Sequence, residues 1–207
     1  MRKLFLPGFG ASGRLYARGL GEGWAALEPP PFRASRGSLG FHRERVLREI
    51  ARDDRPVWLA GHSMGAALAV LTAAAEPERV ARLTLVSPAG LPLRKPIAAS
   101  LGRFAAQVAQ GRYELSEMRQ VAGALRSPRA ALRLAQAVRR LDVSRELGAV
   151  RAAGIPAEVV SCASDTLVTP AHSRAIARLL GADYHELELE GGHMWMLTAW
   201  PAFSRLF

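Results

Sequence analysis

The sequence predicts an α/β fold: a mostly parallel sheet of about six strands with helices on both faces, and a helical segment inserted between the fourth and fifth strands. Three observations lead there. Short apolar runs alternate with stretches of helical spacing, as parallel strands joined by crossover helices require. The middle runs are apolar almost without a break, as strands buried on both faces must be. One stretch, 91–151, abandons the alternation and carries helix-period residues alone.

The strands follow in order as Lys3–Leu6, Ala25–Glu28, Val57–Ala60, Leu83–Val86, Ala157–Cys162 and Tyr184–Leu189. Helical spacing marks Phe41–Arg52, Ala66–Ala75, which Pro77 closes, and His172–Leu180. Within 91–151, three sets step by three and four: Leu101, Phe104, Ala105 and Val108; Met118, Val121, Ala122 and Leu125; Ala131, Leu134, Ala135 and Val138. Ser127-Pro128 reads as an N-cap with a first-turn proline, and Arg139 and Arg140 sit in a last turn, where the helix dipole favours cations. One domain over 1–207, with 91–151 as a helical insertion within it, is expected.

Composition narrows the class. With 207 residues, 49% of them hydrophobic, the chain can bury a sizeable core. No apolar stretch is long enough to span a bilayer. The apolar part of Met1–Gly8 is too short for a signal peptide and runs straight into a loop needed below, so no cleaved leader and a cytoplasmic protein are expected. The single cysteine, Cys162, agrees with a reducing compartment. The net charge of +10 is uneven: eleven Arg and Lys95 against four acids leave +8 within 91–151. That excess suits an acidic partner. The basic stretch has few aromatics and no nucleic-acid motif, so nucleic acid is not expected, nor is a membrane. No metal-ligand cluster is visible, and no cofactor is expected.

The chemistry centres on Gly61-His62-Ser63-Met64-Gly65, which ends one apolar run and opens a helix. A G-x-S-x-G at a strand-to-helix junction is the nucleophile-elbow motif. The turn is tight, so the residues two places either side of the serine must lack bulk. The helix N-terminus then offers positive potential to a developing oxyanion. A serine hydroxyl needs a base and an orienting acid. His193 follows the last strand in Gly191-Gly192-His193, and Asp165 follows the fifth in Ser164-Asp165-Thr166. Both fall at carboxyl ends of strands, the ligand-binding edge of an open α/β sheet. The other histidines fit less well: His62 is read as packing, His42 and His172 as surface residues at helix starts, and His185 lies within a strand. Asp183, Asp53 and Asp54 are solvated or end a helix, and the turn after the fourth strand, Ser87-Pro88-Ala89, has no acid. Oxyanion donors are expected from the N–H of Met64 and, in the loop Leu6–Ser12, from Phe9. Met194, Trp195 and Met196, next to the base, are read mostly as packing residues.

These motifs, with Pro77-Glu78-Arg79-Val80, Val86-Ser87-Pro88, Asp165 ahead of Pro170, and Gly192-His193, give a sequence that resembles the α/β-hydrolase fold family over essentially its whole length. The resemblance implies that the helical insertion, 91–151, is a cap over the active site. Two departures stand out. Pro7-Gly8 replaces the His-Gly common at the oxyanion loop, and the chain starts at the strand bearing that loop, which implies a minimal six-stranded sheet. Small esterases acting on carrier-bound acyl methyl esters are similar in size, cap and motifs. The expected function is a serine hydrolase that cleaves a carboxylic ester or thioester through an acyl-enzyme, with a small-molecule or carrier-linked acyl substrate and an acidic acyl carrier protein as the candidate partner.

Two alternatives stand beside it. Gly8-Phe9-Gly10-Ala11-Ser12-Gly13 also matches G-x-G-x-x-G, with Glu28 ending the next strand, the pattern of an NAD(P)-binding oxidoreductase. Pro7 at the junction disfavours it, and it leaves the elbow, Asp165 and His193 without a role. A non-enzymatic ligand-binding protein on the same scaffold is the other, disfavoured because all three catalytic residue types are present.

Overall fold

The computed structural model describes residues 1–93 and 119–207. Six strands, β1 (Arg2–Leu6), β2 (Trp24–Ala26), β3 (Val57–His62), β4 (Val80–Val86), β5 (Ala157–Cys162) and β6 (Asp183–Leu187), form one sheet in the order β2-β1-β3-β4-β5-β6. Every pairing is parallel. Period-two alternation divides the strand side chains between two cores. Leu4, Leu6, Leu59, Leu83, Leu85 and Val159 face one layer, and Phe5, Ala60, Val86, Val160 and Cys162 face the other.

The first layer holds α3 (Leu39–Ile50) and α4 (Met64–Ala75), followed later in the chain by α7 (Ser144–Ala152) and α8 (Pro170–Leu180). The second holds α1 (Gly13–Ala17), a 3₁₀ turn over Gly192–Leu197 and α9 (Trp200–Ser204), packed through Tyr16, Trp195 and Phe203. The short α2 (Phe32–Ser35) meets α6 (Pro128–Arg140), which follows α5 (Arg119–Arg126).

Helix boundaries shift from expectation where caps decide them. Ser38 Oγ accepts the Phe41 N–H at 3.2 Å, so α3 starts before Phe41. Thr169 Oγ1 accepts the His172 N–H at 3.4 Å and Pro170 takes the first turn, so α8 starts before His172. β6 stops at Leu187, where the Leu189 N–H turns back to the Leu187 carbonyl at 2.9 Å.

Between β4 and β5 the described elements are the helices α5, α6 and α7, with no strand among the described residues, as the spacing predicts. Leu101, Phe104, Ala105, Val108 and Met118 lie outside them. Ser127 takes the N-cap position of α6 and Pro128 the first turn, but the Ser127 side chain makes no capping bond. Ala131 and Leu134 are buried, whereas Leu125 is 77% exposed. Val143, Leu147 and Val150 of the α7 region are buried in the first layer, where α7 packs on α4 and α8. Among the described residues, no helix is long and apolar enough to cross a membrane.

Candidate active site

Ser63 stands between β3 and α4 at φ 54°, ψ −114°, a conformation that costs a non-glycine residue strain. Backbone bonds hold it there. Its N–H donates to the Val86 carbonyl at 3.0 Å, and its own carbonyl accepts from Ala66 (3.1 Å), Ala67 (3.3 Å) and Ala89 (3.1 Å). The flanking glycines are required by space. A Cβ on Gly65 would lie 1.9 Å from the Leu6 carbonyl oxygen, and one on Gly61 would lie 2.5 Å from the Gly65 carbonyl carbon. This close approach brings the end of β1, and with it Gly8 and Phe9, to the same pocket as Ser63. Met64 opens α4, where first-turn N–H groups have no acceptor within the helix.

Asp165 and His193 meet across 28 residues of sequence: His193 Nδ1 lies 2.7 Å from Asp165 Oδ2, with both side chains buried. The other carboxylate oxygen of Asp165 accepts the N–H groups of Leu167 and Val168, each at 2.9 Å. The carboxylate is therefore fixed in rotation, and a neutral His193 carries its proton on Nδ1, which leaves Nε2 as the basic nitrogen. Ser164 ties the two turns together. Its Oγ donates to the Leu189 carbonyl at 2.7 Å and accepts the Gly192 N–H at 3.0 Å.

The pocket holds about 80 Å³ and is walled mostly by apolar groups. Phe9, Ala89, Leu93, Ala135, Val138 and Val168 line it beside Ser63 and His193. Arg139 of α6 reaches the same wall, donating to the Leu93 carbonyl at 3.1 Å. The insertion therefore does contribute to the pocket, through α6. Met194 lines it as well, whereas Trp195 and Met196 are core residues.

Of the five residues singled out, Ser63, His193 and Phe9 line one pocket, Asp165 pairs with His193 behind it, and Met64 follows the serine at the start of α4. It corrects the reading of His42. That side chain is 4% exposed, and burial, helped by the Arg45 charge, lowers its pKa to about 4. His172 is half-buried, and burial lowers its pKa as well. The sequence reading missed Tyr16, whose hydroxyl lies 2.8 Å from His62 Nδ1. The dinucleotide reading loses its acid: a Glu28 carboxylate oxygen accepts the Gly13 N–H of the same loop at 2.8 Å, closing the loop from inside.

A strained serine on a strand-to-helix elbow, opposite a buried histidine–carboxylate pair at the carboxyl edge of a parallel sheet, is the arrangement of the α/β hydrolases. The chain belongs to the alpha/beta hydrolase family, whose model matches residues 4–206, and it is a hydrolase. Solved structures share the fold over nearly all of this chain. A lipase-esterase related protein from Clostridium acetobutylicum is 14% identical, with a TM-score of 0.74 over 99% of this chain and 92% of its own. An enol-lactonase from Burkholderia xenovorans is 18% identical, with a TM-score of 0.68 over 99% and 89%. The thioesterase domain of the curacin biosynthetic pathway is 21% identical, with a TM-score of 0.64 over 99% and 89%. A comparison with curated proteins finds no match.

Proposed function

We propose that the protein hydrolyses a carboxylic ester or thioester through an acyl-enzyme on Ser63. The observation that carries this reading is the buried 2.7 Å pair of His193 and Asp165 on the pocket that Ser63 lines. Ser63 Oγ attacks the carbonyl carbon while His193 Nε2 takes its proton. Asp165 holds the tautomer and stabilises the imidazolium. The N–H groups of Met64 and Phe9 receive the oxyanion of the tetrahedral intermediate. The intermediate collapses, and the alcohol or thiol leaves with the proton from His193. Water then attacks the acyl-enzyme, again giving its proton to His193, and the acid departs as Ser63 recovers its hydrogen.

The pocket lining supports an apolar acyl group. A carrier-linked substrate is supported by charge: Arg33, Arg36, Arg126, Arg129 and Arg133 line adjoining grooves beside α2 and α6. An acidic acyl carrier is the partner proposed for these grooves, and the cytoplasm is the proposed location. Hydrolysis of a short p-nitrophenyl ester by the wild type beside Ser63→Ala tests the core of the reading. Activity lost in the variant supports it, and activity that survives overturns it.

A further inference from the structure

His62 is fully buried beside the nucleophile, and the mechanism above gives it no task. Its two nitrogens are both engaged. Nε2 lies 3.0 Å from the backbone carbonyl oxygen of His193, and Nδ1 lies 2.8 Å from the Tyr16 hydroxyl. A carbonyl only accepts, so Nε2 carries hydrogen. Burial holds the His62 pKa well below its ordinary value, so the ring is neutral and Nδ1 is bare. The Tyr16 hydroxyl therefore donates to Nδ1, and this bond selects the tautomer that His193 needs.

The carbonyl so held lies at the start of the 3₁₀ turn Gly192–Leu197, which the chain enters through two glycines. Gly191 and Gly192, just before the base, sit at φ 109° and 60°. Side-chain anchors hold this stretch from three directions: Ser164 on the Gly192 N–H, Asp165 on the imidazole, and His62 on the His193 carbonyl. The first two come from the turn after β5. The third comes from the residue adjoining Ser63.

We infer that His62, set in one tautomer by Tyr16, is a positioning residue that fixes the main chain of His193 relative to Ser63. The inference rests on the reading of Ser63, His193 and Asp165 as the catalytic group. It assigns His62 no proton transfer to substrate. Its effect belongs in kcat, because placement of the base matters when the proton moves and not when the ester binds.

The test compares His62→Gln, His62→Asn and Tyr16→Phe with the wild type and Ser63→Ala on a p-nitrophenyl ester, with melting temperature measured for each. The Gln amide nitrogen can occupy the place of Nε2, and the Asn one cannot. Asn is expected to lower kcat about 100-fold with KM little changed, Gln about 5-fold, and Tyr16→Phe about 10-fold. All three variants lose a buried partner and melt lower, so melting temperature alone does not separate them. The separation of Gln from Asn in kcat, measured below both melting transitions, is the signature of placement. Equal kcat in Gln and Asn, or wild-type kcat in both, overturns the inference while leaving the hydrolase reading intact. Should either His62 variant fail to fold, Tyr16→Phe decides: a kcat equal to the wild type overturns the inference. Activity that survives Ser63→Ala overturns both readings, and the comparison with Ser63→Ala tells the two failures apart.

Discussion

The imidazole of His193 donates an Nδ1–H hydrogen bond to one oxygen of Asp165 at 2.7 Å, while two backbone N–H groups donate to the other oxygen. Asp165 therefore fixes the orientation of the His193 ring, and in the proposed mechanism it decides which nitrogen is offered to Ser63. Asp165→Asn keeps an oxygen for Leu167 and Val168 but presents an amide to His193, which favours the wrong tautomer. We expect kcat on a p-nitrophenyl ester to fall by roughly 10⁴ with the fold preserved. Steady-state kinetics beside a circular dichroism melt checks this, and a loss under tenfold refutes it.

Gly65 touches the end of β1 so closely that no side chain fits. With a Cβ placed 1.9 Å from the Leu6 oxygen, Gly65→Ala must move backbone rather than a side chain. The expected cost is about 3 kcal/mol, with the activity of the folded fraction reduced as well. Urea unfolding reads the first effect, and a midpoint equal to that of the wild type contradicts it.

Burial of His42 makes stability depend on pH. Its folded pKa of about 4 lies below the ordinary 6.5, so between those values the unfolded chain binds more protons. Its contribution is complete above pH 6.5 and is lost as pH falls toward 4, by at most about 3 kcal/mol. His62 and His172, also shifted downward by burial, act in the same direction. His42→Leu is expected to flatten the acid limb of a stability–pH profile measured by urea unfolding. A limb of unchanged slope rules this out.

The arginine grooves predict a substrate-dependent effect. Replacing Arg126, Arg129 and Arg133 together by Gln is expected to lower kcat/KM for a carrier-linked acyl ester about 10-fold or more, with the difference shrinking as salt rises. A small neutral ester is expected to turn over unchanged. Equal losses on the two substrates argue against a docking role.

The sequence carried much of this because the chemistry sits where local patterns end. Ser63 is legible from two glycines at a strand–helix junction, and Asp165 and His193 from their places just past β5 and β6. The fit between His62, Tyr16 and His193 is not legible, since its contacts join residues 46 and 131 positions apart. No spacing rule reports a bond across layers. His42 was legible but misread: it precedes Val46 by four residues and Ile50 by eight, on the buried face of α3. A helix taken to start at Phe41 made it look terminal, and the Ser38 cap moved it inside.

The strand order bears on how the molecule assembles. β3, α4 and β4 follow one another directly and pair side by side, so the nucleophile turn is made from near neighbours in the chain. β5 joins β4 only after the whole insertion has been looped out, and Asp165 and His193 arrive with it and with β6. Pairing β5 with β4 closes the longer connection in sequence, so it is expected to come later than the pairing of β3 with β4. Refolding should therefore restore the compact β3–β4 region first and enzymatic turnover last. Stopped-flow hydrogen-exchange labelling of β3 amides, run beside the recovery of turnover in the proposed p-nitrophenyl ester assay, would record the two events as separate phases.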